Sequence, residues 1–153
     1  MIEFRHDDLL EADSEALVNA VNTVGVMGKG IALQFKKRFL EDFKAYARAC
    51  KSGEVEVGRM FTVCLDKLTN PQFIVNFPTK KHWREKSRVE YVRDGLEDLF
   101  RELERLGVDS IAVPPLGCGN GGLDWEVEVR PLVEEAFAPV PEVRAYVYEP
   151  FHN

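Results

Sequence analysis

Two short apolar segments are each followed by a cluster of glycines and then by a helical pattern, and this repeated arrangement restricts the possible folds more than any other feature. The two sets are Ala16–Val21 with Gly25, Gly28 and Gly30, and Ser110–Val113 with Gly117, Gly119, Gly121 and Gly122. A continuous apolar run is typical of a strand buried on both faces, as in parallel sheets covered by helices. We therefore expect an α/β fold with both glycine loops at the carboxyl edge of one sheet, where ligands bind.

The rest of the chain alternates strand and helix patterns. Strands are predicted at Ile2–Arg5, 60–65, 73–77 and 143–148, and helices at 31–50, Val89–Leu106 and 125–137. The helix at Val89–Leu106 has its leucines on one stripe, Gly107 supplies its stop, and Asp124 can cap the helix at 125–137. This alternation predicts a single domain over residues 1–153, with a largely parallel sheet between helices.

Composition indicates a protein of the cytoplasm. Apolar residues make up 45% and charged residues 30% of the 153 residues, and no apolar run approaches the ~20 residues of a membrane span. The N-terminus lacks the pattern of a signal peptide. Cys50, Cys64 and Cys118 form no Cys-x-x-Cys pair, which argues against a disulfide scaffold or zinc ribbon and for a reducing compartment. We expect no metal, no cofactor and no membrane partner.

Charge is distributed unevenly along the chain. The formal net charge is −6, which by itself argues against nucleic-acid binding. Residues 80–88, here called the basic segment, nevertheless contain five basic residues and one acidic residue, with His82 and Trp83 among them. The segment is either a solvated charged loop or a local site for an anionic partner.

The glycine loops can hold phosphate groups, because glycine lets backbone N–H groups approach an anion and a helix N-terminus adds partial positive charge. Two converging loops can hold a diphosphate between them. Neither standard motif is present: Gly28-Lys29-Gly30 lacks the Ser or Thr of a P-loop, and Leu33 occupies the third glycine position of a Rossmann fingerprint. A Rossmann-type oxidoreductase is therefore disfavoured.

Both loops resemble those of macrodomains. Residues 16–22 followed by Gly25-Val26-Met27-Gly28-Lys29-Gly30-Ile31-Ala32 are similar to the family's strand ending in Asn and its first loop, and 115–125 resembles its second loop. Asp7-Asp8-Leu9-Leu10 is similar to the early Gly-Asp-[Ile/Leu] signature, with Asp7 in place of glycine. The run at 25–36 resembles above all the DarG group, antitoxin macrodomains paired with a toxin that ADP-ribosylates DNA.

The resemblance covers essentially the whole chain and implies a three-layer α/β/α macrodomain fold with a mixed, largely parallel central sheet. DarG proteins typically continue into a C-terminal region that binds the toxin. That region has no counterpart after the last predicted strand, so we expect either a trimmed catalytic domain or a shorter relative.

ADP-ribose is the ligand that the resemblance implies. Asp8 is expected to accept a hydrogen bond from the adenine amino group, and Asn22 to orient the distal ribose; the alternatives are an exposed turn carboxylate and an Asn that satisfies its own backbone. Tyr148 either flanks adenine or packs in the core. Cys118 is interpreted as a pocket-lining residue, since no His lies in either loop to activate it. The expected ADP-ribose-binding residues are Asp8, Leu9, Asn22, Met27, Gly28, Lys29, Gly30, Ile31, Ala32, Thr79, Pro115, Leu116, Gly117, Cys118, Gly119, Asn120, Gly121 and Tyr148.

Lys80 is the principal catalytic residue that the resemblance implies, with Asn22 assisting. DarG relatives and the vertebrate macrodomains that release ADP-ribose from glutamate share a lysine here. A protonated lysine can relieve charge on a departing thymine, whereas a neutral lysine can attack ribose C1″ and form a transient adduct, the version we favour. The glutamate-releasing relatives also carry an Asp in the second loop, where this chain has Gly121.

The predicted function is removal of ADP-ribose from thymidine in single-stranded DNA, as antitoxin to a DNA ADP-ribosyltransferase. In the basic segment, aromatic rings can stack on unpaired bases and cations can meet phosphates; Trp83 as a core anchor is the alternative. The expected DNA-binding residues are Lys81, His82, Trp83, Arg84 and Lys86. A non-catalytic ADP-ribose reader and a hydrolase of protein-linked ADP-ribose remain competing hypotheses.

Overall fold

The computed structural model describes residues 1–150, which form one six-stranded sheet with helices on both faces. The strands are β1 (Ile2–Arg5), β2 (Ala16–Val21), β3 (Phe61–Cys64), β4 (Phe73–Pro78), β5 (Ser110–Val113) and β6 (Arg144–Tyr148). The helices are α1 (Gly30–Arg38), α2 (Leu40–Lys51), α3 (Val89–Leu106) and α4 (Arg130–Phe137). Two single 3₁₀ turns, Leu9–Glu11 and Gly119–Gly121, and a π-helical turn, Trp125–Val129, complete the described elements.

The strand order is β1-β6-β5-β2-β4-β3, and the sheet is mixed. Neighbouring strands from β1 through β6, β5 and β2 to β4 are all parallel, while β3 pairs antiparallel with β4 at one edge. The short connection from β3 to β4 permits antiparallel pairing, whereas the parallel strands need longer crossovers that carry the helices. The predicted mixed, largely parallel sheet in a three-layer α/β/α fold is confirmed.

Alternation along the central strands divides the core between the two faces of the sheet. On β2, Ala16 and Val18 belong to the cluster that packs with the leucines of α3 and with Val133 of α4. Leu17, between them, packs on the opposite face against Phe35 of α1. Because successive side chains in a strand point to opposite faces, one apolar run fills both cores.

Two helices differ from the sequence prediction. The pattern at 31–50 predicted one helix, which was wrong, because Phe39 leaves helical geometry (φ −126°, ψ 71°) and separates α1 from α2. Phe39 is partly buried against the core cluster that contains Leu17 of β2, and this long-range packing favours the break although no Gly or Pro marks it.

The helix predicted at 125–137 is α-helical only in its second part. Asp124 caps its start as expected, accepting from the Val127 N–H at 2.9 Å, but the first five residues form the π turn. Pro131 has no N–H to give to the Val127 carbonyl, so a regular α-helix cannot run through this point. Helix α3 has the predicted bounds and ends at Gly107, whose φ is 68°.

Candidate functional site

All five parallel strands end at one edge of the sheet. Residues expected in the site follow β1, β2, β4 and β5, and Tyr148 is the last residue of β6. Residues 22–30, here the first glycine loop, follow β2, and residues 114–124, the second glycine loop, follow β5. Because β2 lies between β5 and β4, the first loop has the second loop on one side and Lys80 on the other. The two loops meet where a Cβ on Gly30 would lie 3.5 Å from the Asn120 side-chain nitrogen.

The first glycine loop is organised by the side chain of Asn22, which is only 5% exposed. Its Oδ1 accepts from the N–H groups of Val24 (3.1 Å) and Val26 (3.4 Å), and its Nδ2 donates to the Val26 carbonyl at 2.9 Å. The hydroxyl of Tyr46 donates to the same Oδ1 at 2.7 Å. In this structure Asn22 therefore satisfies the loop's own backbone, and its role toward ribose stays a prediction.

A buried polar network lies beneath this loop. Asn76 donates from Nδ2 to Oδ1 of Asp42 at 2.7 Å, and its Oδ1 faces Nδ2 of Asn19 at 3.4 Å. Nδ2 of Asn19 also lies 3.8 Å from the sulfur of Met27, which belongs to the loop. Burial raises the pKa of Asp42 to about 6, partly offset by the Asn76 hydrogen bond. Sequence reasoning missed this network because its members are spread over β2, β4 and α2.

The second glycine loop is held by its own backbone. Cys118 N–H donates to the Pro115 carbonyl at 3.1 Å, and Leu123 N–H donates to Gly117 at 3.0 Å. Burial, followed by the charges of Asp124 and Glu128, raises the pKa of Cys118 to about 12. A thiol so strongly held in its protonated form is a poor nucleophile, which supports a lining role.

Asp8 and Tyr148 come together because β1 and β6 are neighbours in the sheet. Asp8 caps the turn Leu9–Glu11, accepting from the Leu10 N–H at 3.0 Å, while its exposed side chain stays open to solvent. Tyr148 is buried, and its hydroxyl has no hydrogen-bond partner within residues 1–150. Asp7 has no left-handed φ, so this position does not require the glycine of the family signature.

The backbone around Lys80 is fixed on both sides. Thr79 N–H donates to the Val21 carbonyl at 2.9 Å, and the Lys81 carbonyl accepts from both the N–H (3.2 Å) and the hydroxyl (2.7 Å) of Thr23. Lys80 itself is partly exposed, and its Nζ donates to the Trp83 carbonyl at 3.2 Å. Burial, and then the charge of Lys29, lowers the pKa of Lys80.

Most side chains of the basic segment lie at the surface, and Ser87 is the buried exception. Trp83 is 43% exposed, so the alternative of a core anchor is wrong. Its ring lies 5.2 Å from that of His82, and the Arg84 guanidinium lies 4.6 Å from its centroid. At the far end of the segment, Ser87 N–H donates to the Gly121 carbonyl at 2.9 Å. The segment thus spans from the first glycine loop to the second.

Two other observations concern the same described part of the chain. No group of three or more His, Cys, Asp or Glu side chains in residues 1–150 is arranged to hold a metal ion. None of the helices in this range combines the length and hydropathy that a membrane span requires.

The fold and this edge define a three-layer α/β/α protein whose candidate ligand site is built from two glycine loops and a lysine. The Macro domain family model matches residues 18–131, and the chain belongs to that family. The family expected from the glycine loops is thereby confirmed.

A curated relative and a solved structure are both highly similar to this chain. The chain is 57% identical over 150 residues to a DNA ADP-ribosyl glycohydrolase of Mycobacterium tuberculosis, covering 98% of this chain and 42% of the relative. The macrodomain of Mycobacterium tuberculosis DarG superposes with a TM-score of 0.96 at 56% identity, covering 99% of both chains.

A fusion protein of Thermosipho africanus, named DNA ADP-ribosyl transferase-DNA ADP-ribosyl glycohydrolase, is 32% identical over 95% of this chain and 41% of its own length. The structure of Thermosipho africanus DarTG in complex with ADP-ribose gives a TM-score of 0.92 at 30% identity, covering 99% of this chain and 42% of that one. The chain therefore spans less than half the length of these curated relatives.

Proposed function

We propose that this chain removes ADP-ribose from thymidine bases of single-stranded DNA. The observation that carries the proposal is Lys80, a partly buried lysine with a lowered pKa at the carboxyl end of β4, directly beside the first glycine loop. The names of the Mycobacterium tuberculosis and Thermosipho africanus relatives both include DNA ADP-ribosyl glycohydrolase, which supports DNA as the carrier of the ADP-ribose.

ADP-ribose fits the sheet edge from one end to the other. Asp8 and Tyr148 lie at the β1–β6 end and suit adenine. In the middle, the N-terminus of α1 has no side-chain cap, which leaves its first N–H groups for the diphosphate. The distal ribose then falls next to the end of β4, within reach of Lys80.

The chemistry at C1″ suits a neutral lysine. Burial and Lys29 favour loss of the proton from Lys80, although a bound diphosphate would act in the opposite direction. Attack by Nζ on C1″ forms a C–N bond while the bond from C1″ to the thymine nitrogen breaks. The thymine nitrogen takes up the proton that the amine loses, and water then releases ADP-ribose and regenerates Lys80.

The basic segment supplies a surface for the DNA. Lys81, Arg84 and Lys86 are exposed and can meet phosphates, while the half-exposed Trp83 ring can stack on an unpaired base. This surface is continuous with Lys80 in sequence. A strand lying along it would bring its modified base to the lysine despite the net negative charge of the chain.

The proposed biological setting is a toxin–antitoxin pair in the cytoplasm, in which the cognate partner is a DNA ADP-ribosyltransferase. The transferase fused to the glycohydrolase in the Thermosipho africanus relative supports such a partner. The three free cysteines are compatible with a reducing compartment.

The test is to incubate the protein with single-stranded DNA that carries ADP-ribosyl-thymidine and to follow free ADP-ribose and restored thymidine. A matched substrate with ADP-ribose on a glutamate side chain serves as the comparison. Release from DNA supports the proposal. Release only from glutamate would show a hydrolase of protein-linked ADP-ribose, and binding without release from either would show a reader; both outcomes would overturn it.

A further inference from the structure

Ser87 and Gly121 form a close joint between the basic segment and the second glycine loop. Ser87 is only 6% exposed, and its N–H donates to the Gly121 carbonyl at 2.9 Å. Its hydroxyl oxygen has no hydrogen-bond partner within residues 1–150. This side chain therefore fits the joint by its size rather than by a hydrogen bond of its own.

The joint has no room for a side chain at Gly121. A Cβ placed there would lie 2.4 Å from the Ser87 Oγ and 3.0 Å from its Cβ. Gly121 does not have a left-handed φ, so backbone conformation does not demand glycine at this position. Gly117 borders the same space, with its own added Cβ 3.2 Å from the Ser87 Cβ. Close packing against Ser87 therefore explains the glycine at 121.

The position of Lys80 depends on the segment that this joint anchors. Thr23 fixes one end through the Lys81 carbonyl, and Ser87 fixes the other. Between these two points, the Trp83 carbonyl accepts from the Lys80 Nζ at 3.2 Å. A change that lifts the segment at Ser87 moves this carbonyl and releases the ammonium group toward solvent.

We propose that Ser87 is a positioning residue that, by packing beneath Gly121, holds the Trp83 carbonyl and so the Lys80 amine at the reacting end of the cleft. The inference rests on the proposed function, because it gives Ser87 a part in that reaction. It assigns Ser87 no contact with the substrate. Its effect belongs to the chemical step and to the environment of Lys80, not to the binding of ADP-ribose along the loops.

The first test enlarges Ser87. Ser87→Val should lower the single-turnover rate on saturating modified DNA at least 30-fold, while the affinity for free ADP-ribose changes less than threefold. Ser52→Val is the matched control, since it makes the same change at an exposed serine beyond α2, and should keep the parental rate. A Ser87→Val rate within threefold of the parent would contradict the proposal.

The second test adds a methyl group at Gly121 and then removes the side chain of Ser87 to make room for it. Gly121→Ala should reduce the single-turnover rate strongly. The double variant Ser87→Gly/Gly121→Ala should be at least tenfold faster than Gly121→Ala, because the nearest remaining contact of the new Cβ is the backbone nitrogen of residue 87 at 3.9 Å. Failure of the double variant to exceed Gly121→Ala would show that the contact does not control the reaction.

A third measurement separates positioning from folding and does not depend on activity. Lysines are reductively methylated with ¹³C-formaldehyde, and the Lys80 signal, identified by its loss in Lys80→Arg, is titrated by NMR. Its pKa should be below that of ordinary lysines in the parent, rise in Ser87→Val and Gly121→Ala, and return in the double variant. An unchanged titration in Ser87→Val would overturn the role of Ser87. An inactive parent with the expected titrations would instead refute only the proposed reaction.

Discussion

The first glycine loop and the basic segment lie at the same edge of the sheet but are held in different ways. The loop is fixed from beneath by buried side chains, with Asn22 at its centre and Tyr46 donating to it. Most side chains of the basic segment are exposed, and the segment is attached near its ends by hydrogen bonds to Thr23 and Gly121. Under the proposed function, the comparison implies that the ADP-ribose surface is held rigidly from beneath, while Lys80 depends on a segment attached near its ends.

The largest expected effect is at Lys80. Lys80→Ala should lower the single-turnover release of ADP-ribose from DNA about 1000-fold, or ~4 kcal/mol of transition-state stabilisation, and leave binding of free ADP-ribose nearly unchanged. Lys81→Ala, the matched control next in sequence, should weaken DNA binding and reduce its salt dependence without this loss. A Lys80→Ala rate within about tenfold of the parent would exclude lysine catalysis.

Asp8 tests the binding surface at its adenine end. Asp8→Ala should weaken ADP-ribose binding by about 1–3 kcal/mol, the scale of a lost hydrogen bond to a charged group. Calorimetry with free ADP-ribose in EDTA measures this change and also tests binding without metal. Asp13→Ala, at an exposed carboxylate outside the cleft, is the control. Equal affinity of the Asp8 variant and the parent would remove Asp8 from the site.

Asp42 tests the support beneath the first loop. Its pKa is raised from 3.8 to about 6, so its ionisation opposes folding, and the protonated form is the one that the folded state favours. This contribution to stability is complete below pH 3.8 and is lost as the pH rises through 6. Relative to Asp42→Asn, the parent should therefore lose about 2 kcal/mol of unfolding free energy between pH 4.5 and 7.5, measured by urea denaturation. Parallel pH profiles for the two proteins would show that Asp42 titrates normally.

Tyr46 gives the smallest expected effect. Tyr46→Phe removes the hydroxyl that donates to the carbonyl of Asn22 at 2.9 Å and to its Oδ1 at 2.7 Å, and should lower stability by about 1 kcal/mol and weaken ADP-ribose binding. The rate at saturating substrate should change little. Tyr91→Phe, on α3, is the matched control. A loss of rate with unchanged ligand affinity would show that the loop and the basic segment are not separable.

The strands and helix α3 could be predicted because periodicity and glycine stops are local signals. Both glycine loops could also be placed at one edge from chain order, and Lys80 from the resemblance to macrodomains. The break at Phe39 could not, since no Gly or Pro marks it and its packing against the cluster that contains Leu17 is long-range. The buried Asp42 network and the contact of Ser87 with Gly121 were also missed. They join residues that are far apart in sequence, and no spacing rule connects them.

The backbone hydrogen bonds of Thr79 and Lys81, on either side of Lys80, restrict how Lys80 can approach a ligand. With its neighbours bonded to Val21 and Thr23, the α-carbon of Lys80 is a nearly stationary pivot. The length of the four-carbon side chain then sets the range of positions that the amine can reach, and the hydrogen bond to the Trp83 carbonyl is one of these positions. In the proposed reaction, the length of the Lys80 side chain therefore limits how far the amine can reach toward the distal ribose.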